Sequence, residues 1–362
     1  MPFDADNFPA EHHNRDRRRV ARWLFAMCGM ILVMIGLGGA TRLTGSGLSI
    51  MEWAPIMGAL PPLSEAEWHR LYALYQKIPQ YELINKGFGL EGFKQIFWLE
   101  WTHRAWGRLI GVAFVVPLAW FAWRGAIGRR LLPKLGLLFL LGGAQGAVGW
   151  FMVASGFLPD STAVSAYRLV IHLSFALALY VALLWIGLSE WRPGRTHTPP
   201  GLRPRAVLLA ALSGLTILAG GFVAGLRAGL TYNTFPLMDG RLIPAGYADH
   251  SPFWRNLTEN IPAVQFDHRL LATLTALTAI WTALRYLPRL GAAPAARPLF
   301  LLAVAVVAQY ALGVITLLWV VPVSLGTAHQ MLAVLVLSAA VALLHATRAP
   351  SSQDQECPHP QA

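Results

Sequence analysis

Four of the eleven histidines in this chain stand where a histidine is costly. His103, His172, His268 and His329 each lie about one to two turns inside a long apolar run. An ionisable side chain at membrane depth is expensive and marks a functional candidate by default. A lone one more often satisfies a local hydrogen bond, but four at matched depth, one on every second run, form a pattern that such a role does not produce. Imidazoles facing each other from neighbouring helices supply the two axial ligands of a porphyrin iron. The order along the chain pairs His103 with His172 and His268 with His329. The remaining seven, His12, His13, His69, His197, His250, His345 and His359, fall in tails, connections or the inner end of a run, and read as solvated or interfacial.

Other side chains with chemistry cluster around the four. Glu100 lies three residues before His103, on the same helical face and slightly outward. The matching position before His268 is Gln265, which cannot ionise. A carboxylate beside one pair and an amide beside the other suggests a reactive site in the first half and a fixed electron-transfer haem in the second; the plainer alternative is that Glu100 marks the outer end of its span. Haem propionates need cationic or hydrogen-bonding partners near the wet face. Arg168, one turn outward from His172, and Arg42, just outside the first run, are candidates. Arg104 and Arg269 follow their histidines directly and are expected to project away from the ligand face. At i+4 from the histidines stand Gly107, Ala176, Ala272 and Ala333, small residues on the histidine's own face that let a flat macrocycle approach the helix.

The elements that must carry these residues follow from composition and hydropathy. Apolar residues make up 55% of the 362, charged residues only 13%, and there are 14 tryptophans, a profile of the membrane class. Apolar runs at about 21–40, 100–123, 133–154, 166–189, 206–226, 263–286, 298–320 and 324–346 are each of spanning length. The net charge of +11 is not a nucleic-acid footprint, because the basic residues gather at alternate ends of the runs: Arg15 to Arg22, Arg124 to Lys134, Arg192 to Arg205, and Arg285 to Arg297. Basic residues mark the cytoplasmic side, so both termini are expected there. Cys28 and Cys357 form no disulfide frame, zinc site or CxxCH attachment, so any haem is held without a thioether link.

The first outer connection, about 41–99, carries the capping box Ser64-Glu-Ala-Glu67 ahead of an amphipathic stretch with Trp68, Leu71, Tyr72 and Tyr75. This helix is expected on the outer surface, as a simple cover or as part of a pocket's closure. The second outer connection, 227–262, has a turn signal at Asp239-Gly240. A repeat of four helices is legible: Glu100-Trp-Thr-His-Arg104 against Gln265-Phe-Asp-His-Arg269, Gln145 to Gly149 against Gln309 to Gly313, and Gly38-Gly39 against Gly220-Gly221. An even number of spans per half makes the repeat parallel. The expected fold is therefore an all-α polytopic membrane protein, eight transmembrane helices in two four-helix bundles. Its divisions are a cytoplasmic tail at 1–20, an N-terminal half at 21–190, a linker at 191–205, a C-terminal half at 206–348 and a tail at 349–362.

Gly39-Ala-Thr-Arg-Leu-Thr-Gly-Ser-Gly-Leu-Ser49, the segment from Glu100 to Arg104, Thr231-Tyr-Asn-Thr-Phe-Pro236 and Gln265 to Arg269 resemble haem A synthase, over about 20–348. The resemblance implies oxidation of a ring methyl of haem O to a formyl group, giving haem A for terminal oxidase assembly. It implies a haem b cofactor held by His268 and His329, a substrate haem held by His103 and His172, and Glu100 as the family's essential carboxylate. No cysteine pair stands in the first outer loop, so the chain is similar to the mitochondrial and alphaproteobacterial branch. The implied setting is a bacterial cytoplasmic membrane, with haem O synthase, an electron-transfer partner and lipid as partners, a possible homo-oligomer, and no nucleic acid. A b-type electron-transfer cytochrome is the main rival. Several of those place two histidines on one helix, whereas here each helix contributes one. A transporter would not need matched histidines.

Overall fold

The structure, a computed structural model, describes residues 8–55, 57–159, 161–191 and 198–348. Among the described residues the regular elements are helical: α1 Phe8–Leu43, α2 Glu65–Tyr75, α3 Pro79–Leu83, α4 Gly89–Trp123, α5 Leu132–Val153, α6 Ala166–Trp191, α7 Leu202–Gly225, α8 Asn256–Glu259, α9 Ile261–Leu290, α10 Ala296–Leu318 and α11 Val323–Ala346. Eight of them, α1, α4, α5, α6, α7, α9, α10 and α11, are long and apolar enough to cross a membrane. Helices suit that setting because every backbone polar group is satisfied within the segment. Arg192, Arg195 and His197 of the expected linker and the tail 349–362, with Cys357 and His359, lie outside the described residues, as does the start of the N-terminal tail.

Six spans start within a few residues of where hydropathy places them, and two start earlier. α1 begins at Phe8 rather than 21, and α4 at Gly89 rather than 100. The added turns of α4 are amphipathic: Phe93, Ile96 and Phe97 are buried while Glu91 faces out. Their apolar side is covered by α2, whose Trp68, Leu71 and Tyr75 are buried. Trp68 meets Phe97 at 4.9 Å and Tyr75 meets Phe93 at 5.4 Å between ring centroids. Burying each such side chain stabilises by roughly 1.5–3 kcal/mol, so the helix persists beyond the apolar run. The N-cap half of the capping box is realised, with Ser64 Oγ accepting from the Glu67 backbone N–H at 3.2 Å, while the Glu67 carboxylate accepts from Arg70 instead of turning back to the cap.

The spans pack in a continuous body. α1 lies against α4, α6 and α11, while α7 lies against α6, α9 and α11. α11 serves two cores. Val334, Leu337 and Val341 join the residues of α1, α4 and α6, and Val336, Ala340 and Leu343 join those of α7, α9 and α10. The flank formed by α4 and α5 is the more exposed. None of the most apolar stretch of α5 is buried, against 17% for α10, and 11% is buried for α4 against 28% for α9. His345 is buried at the end of α11, its ring edge-on to Trp185 and its Nε2 3.0 Å from Ser189 Oγ, rather than solvated. In the second outer connection Asp239 and Gly240 take φ of 50° and 81°, and Met238 and Arg241 exchange backbone hydrogen bonds of 2.8 and 3.1 Å. That is the turn their sequence demands.

Candidate functional site

The four histidines occupy four spans: His103 on α4, His172 on α6, His268 on α9 and His329 on α11. All four are half-buried despite their depth, whereas Glu100 and Gln265 nearby are each 2% exposed. The structure brings His268 and His329 together, with ring centroids 6.5 Å apart and planes at 86°. Each histidine also rests against a glycine of a neighbouring span. A methyl group at Gly149 on α5 would sit 2.9 Å from Cε1 of His172, one at Gly220 on α7 3.0 Å from Cε1 of His268, and one at Gly313 on α10 2.8 Å from Cε1 of His329. On α1, a methyl at Gly38 would sit 3.2 Å from Nε2 of His103. A side chain at Gly149 or Gly313 would force the ring to move, whereas at Gly220 or Gly38 the ring would have to give by a few tenths of an ångström.

Hydrogen bonds orient three of the rings or their backbones. His268 Nδ1 lies 3.1 Å from the Thr216 carbonyl and donates to it, which leaves Nε2 as the ligand nitrogen. Gln145 Nε2 donates to the His172 carbonyl at 2.9 Å and lies 3.2 Å from Nδ1 of that ring. Gln309 repeats this at His329, donating to its carbonyl at 3.0 Å, with the ring Nε2 at 3.4 Å. The Oε1 atoms of Gln145 and Gln309, and Nδ1 of His329, are buried without a partner. His103 has no hydrogen bond among the described residues. Among those residues no group of three or more metal-ligating side chains forms, and His268 with His329 is the histidine pair whose rings face each other.

Glu100 is held on every side. Its Oε2 accepts from the Ser49 backbone N–H at 2.7 Å, from Ser49 Oγ at 2.7 Å and from the Ile50 backbone N–H at 2.9 Å. Its Oε1 accepts from Arg104 Nε at 3.1 Å and Nη2 at 2.6 Å. Arg104 also donates to the Ile50 and Glu52 carbonyls at 2.8 and 3.0 Å, so it turns back toward the outer loop. The second half is built alike with the polarity changed. Gln265 Nε2 donates to the Ala228 carbonyl at 2.9 Å, and its Oε1 accepts from Arg269 Nη2 at 3.0 Å. Arg269 in turn donates to the carbonyls of Tyr232 and Thr234 at 2.8 and 3.0 Å. The first loop offers N–H groups to a carboxylate; the second offers a carbonyl to an amide.

The expected propionate partners serve helix ends. Arg42 Nη1 donates to the Ala224 carbonyl near the end of α7 at 2.7 Å. Arg168 Nη1 donates to the Phe151 carbonyl near the end of α5 at 2.8 Å, its guanidinium 4.0 Å from the Phe151 ring centroid. Cations are favoured there by the exposed carbonyls and the helix dipole. Gly107, expected to flank a macrocycle, faces Met34, whose Cε would lie 3.3 Å from an added methyl. The glycines that touch the rings lie instead on the neighbouring helices; Gly38, Gly149, Gly220 and Gly313 were visible in the sequence as repeat landmarks, but not as ring contacts. The anchoring role of Ser49 was not legible, since it is joined to Glu100 only by folding.

A family model described as cytochrome oxidase assembly protein matches residues 21–341. The chain is 63% identical over 336 residues to a protein of Granulibacter bethesdensis named Heme A synthase, covering 92% of this chain and 88% of the relative. A protein of the same name from Azorhizobium caulinodans is 50% identical over 335 residues, covering 92% and 95% of the two chains. Another from Nitrosospira multiformis is 47% identical over 338 residues, covering 92% and 94%.

Proposed function

The chain belongs to the cytochrome oxidase assembly protein family, and from that premise we propose that it is a multi-pass membrane oxidoreductase that converts haem O to haem A. The observation that carries this is the unequal surroundings of the histidines: His103 lies one turn from the Glu100–Arg104 ion pair, whereas the facing rings of His268 and His329 lie beside the neutral Gln265.

The residues fit the haem that the family implies. An iron between two imidazoles needs ring centroids roughly 6 Å apart, from metal–nitrogen bonds of about 2 Å; the rings of His268 and His329 stand at 6.5 Å. His268 and His329 would therefore hold haem b, which supplies one-electron chemistry when bound. Gly220 and Gly313 seat the two rings, and the Thr216 carbonyl and Gln309 orient the His268 ring and the His329 backbone. Haem O, as substrate, takes the pair His103 and His172, on the flank where α4 and α5 are less buried. Matched glycine, glutamine and arginine contacts support reading 21–190 and 206–348 as two copies of one unit in parallel.

Glu100 supplies a fixed negative charge one turn outward from His103. Five donors already occupy its two oxygens, which leaves little free lone-pair capacity to take a proton from water. Its contribution is to stabilise positive charge developing at the ring methyl and to hold the loop at Ser49 and Ile50 over the site. Arg168 and Arg42 keep further N–H donors for propionates. The basic connections support termini on the cytoplasmic side of a bacterial inner membrane. Haem extraction from the purified protein tests the reading. Haem B together with haem O or haem A is expected; haem B alone would favour an electron-transfer cytochrome instead.

A further inference from the structure

We propose that the outer-loop segment 53–55 is a displaceable wedge between α4 and α5, the side entrance by which haem O passes from the lipid to its site. The inference rests on reading His103 and His172 as the haem O site. It follows from comparing one level of the two halves. The repeat sets Arg108 on α4 against Thr273 on α9, and Gly146 on α5 against Tyr310 on α10. In the second half these positions tie the spans together, the hydroxyls of Thr273 and Tyr310 lying 2.9 Å apart across α9 and α10. In the first half Gly146 has no side chain to offer, and Arg108 turns to the outer loop instead.

The loop takes the place of that tie. Arg108 Nε donates to the Pro55 carbonyl at 2.8 Å and Nη2 to the Ala54 carbonyl at 3.0 Å. The Trp53 ring lies 3.8 Å from the position of a methyl at Gly146, and 5.5 Å from the Trp150 ring between centroids. The guanidinium of Arg104 stands 5.7 Å from the same Trp150 ring, so the wedge abuts the Glu100–Arg104 pair. Gly149, which seats the His172 ring, is three residues along α5 from Gly146. The wedge thus closes the lipid side of this site, and its fastening is slight. An arginine in a span is costly unless its donors are met, yet Arg108 Nη1 is buried without a partner, and no carboxylate pairs with this residue. Trp53 is already 48% exposed, so swinging outward uncovers little more apolar surface. Further along the spans α4 and α5 close again, Phe114 stacking on Phe139 at 6.0 Å. Added methyls at Gly111, Gly142 and Gly143, between the wedge and that stack, would meet nothing within 4 Å. Haem O is apolar over most of its surface and partitions into lipid, so a sideways route spares it a passage through water. A cofactor that stays bound needs no such route, and the Thr273–Tyr310 tie closes it.

The test uses the full-length protein in phospholipid nanodiscs, purified from cells that make no haem O, with phosphatidylcholine vesicles carrying haem O as the donor. Uptake is timed by recovering the protein and extracting its haem, and haem B content reports the fold. Trp53→Ala and Arg108→Met are each expected to raise the uptake rate at least threefold with haem B unchanged. A further variant carries Trp53→Cys, Gly146→Cys and Cys357→Ser, with Cys28 left buried. Joining its two new thiols with a short bismaleimide is expected to slow uptake at least tenfold against the same protein unjoined. That comparison is made within one protein, so it decides the matter even where a single variant misfolds and loses haem B. Uptake unaffected by joining overturns the proposal, as do unchanged rates in both single variants. Wild type that takes up no haem O removes the proposed function, and this inference with it. Uptake by the wild type at a rate that no change in the wedge alters removes the inference alone.

Discussion

Replacing Glu100 by glutamine removes one charge and leaves the shape nearly unchanged, yet the structure makes it a severe substitution. An amide has one acceptor oxygen and one donor nitrogen. Facing the loop, the nitrogen would oppose the backbone N–H groups of Ser49 and Ile50; facing inward, it would oppose the guanidinium of Arg104. Either way donors meet donors. Gln265 escapes this because its loop presents the Ala228 carbonyl instead. The Glu100 side chain is 3% exposed and that of Arg104 19%. Removing one partner of a buried pair costs about 3–5 kcal/mol, and here the lower end applies because Arg104 keeps the carbonyls of Ile50 and Glu52. A donor left unsatisfied adds about 1–3 kcal/mol. The sum, about 4 kcal/mol, corresponds to a fall in apparent Tm on the order of 10 °C, taking roughly 2–4 °C per kcal/mol. Because large membrane proteins unfold irreversibly, wild type and variant are compared at one scan rate in one detergent. Glu100→Gln is expected to melt earlier by that amount and to lose turnover. A variant melting within about 2 °C of the wild type, with haem A still formed, would refute the view that loop and carboxylate form one charged clamp.

Two further substitutions probe the parts around the rings. Gln309→Leu removes the donor to the His329 carbonyl, a hydrogen bond worth about 0.5–1.5 kcal/mol; haem B retention against a competing apo haem-binding protein should weaken about 2- to 10-fold, and unchanged retention would show that the glutamine is only packing. Gly149→Ala and Gly313→Ala place a methyl within 2.9 and 2.8 Å of a ring carbon. The first should deplete haem O and the second haem B in extracts, and loss of both haems from either variant would contradict separate sites.

Much of the molecule was legible in the chain because the membrane imposes strong one-dimensional rules. Spanning length and apolar composition marked eight helices, and the outermost turns of α4 escaped because amphipathic turns covered by α2 are not apolar on average. The N-cap at Ser64 and the turn at Asp239-Gly240 are local devices, and both appear as their residues require. The place of Arg104 along α4, four residues after Glu100, was also readable in the chain. Its destination was not: it reaches back one turn to Glu100 and outward to Ile50 and Glu52.

Residue types and their position along each helix are written in the sequence, and by themselves they set the expectation that four imidazoles and one carboxylate stand near one level of the membrane. What they do there is decided between helices. Ser49 and Glu100 meet across 51 positions of the chain, and Gly38 touches His103 only because α1 packs on α4. The orientation of an imidazole depends on which atom of a distant residue fills the space beside it. Hydropathy and period set position along an axis, whereas the rotation of a ring and the pairing of its nitrogens are set by contacts that exist only after the helices have assembled.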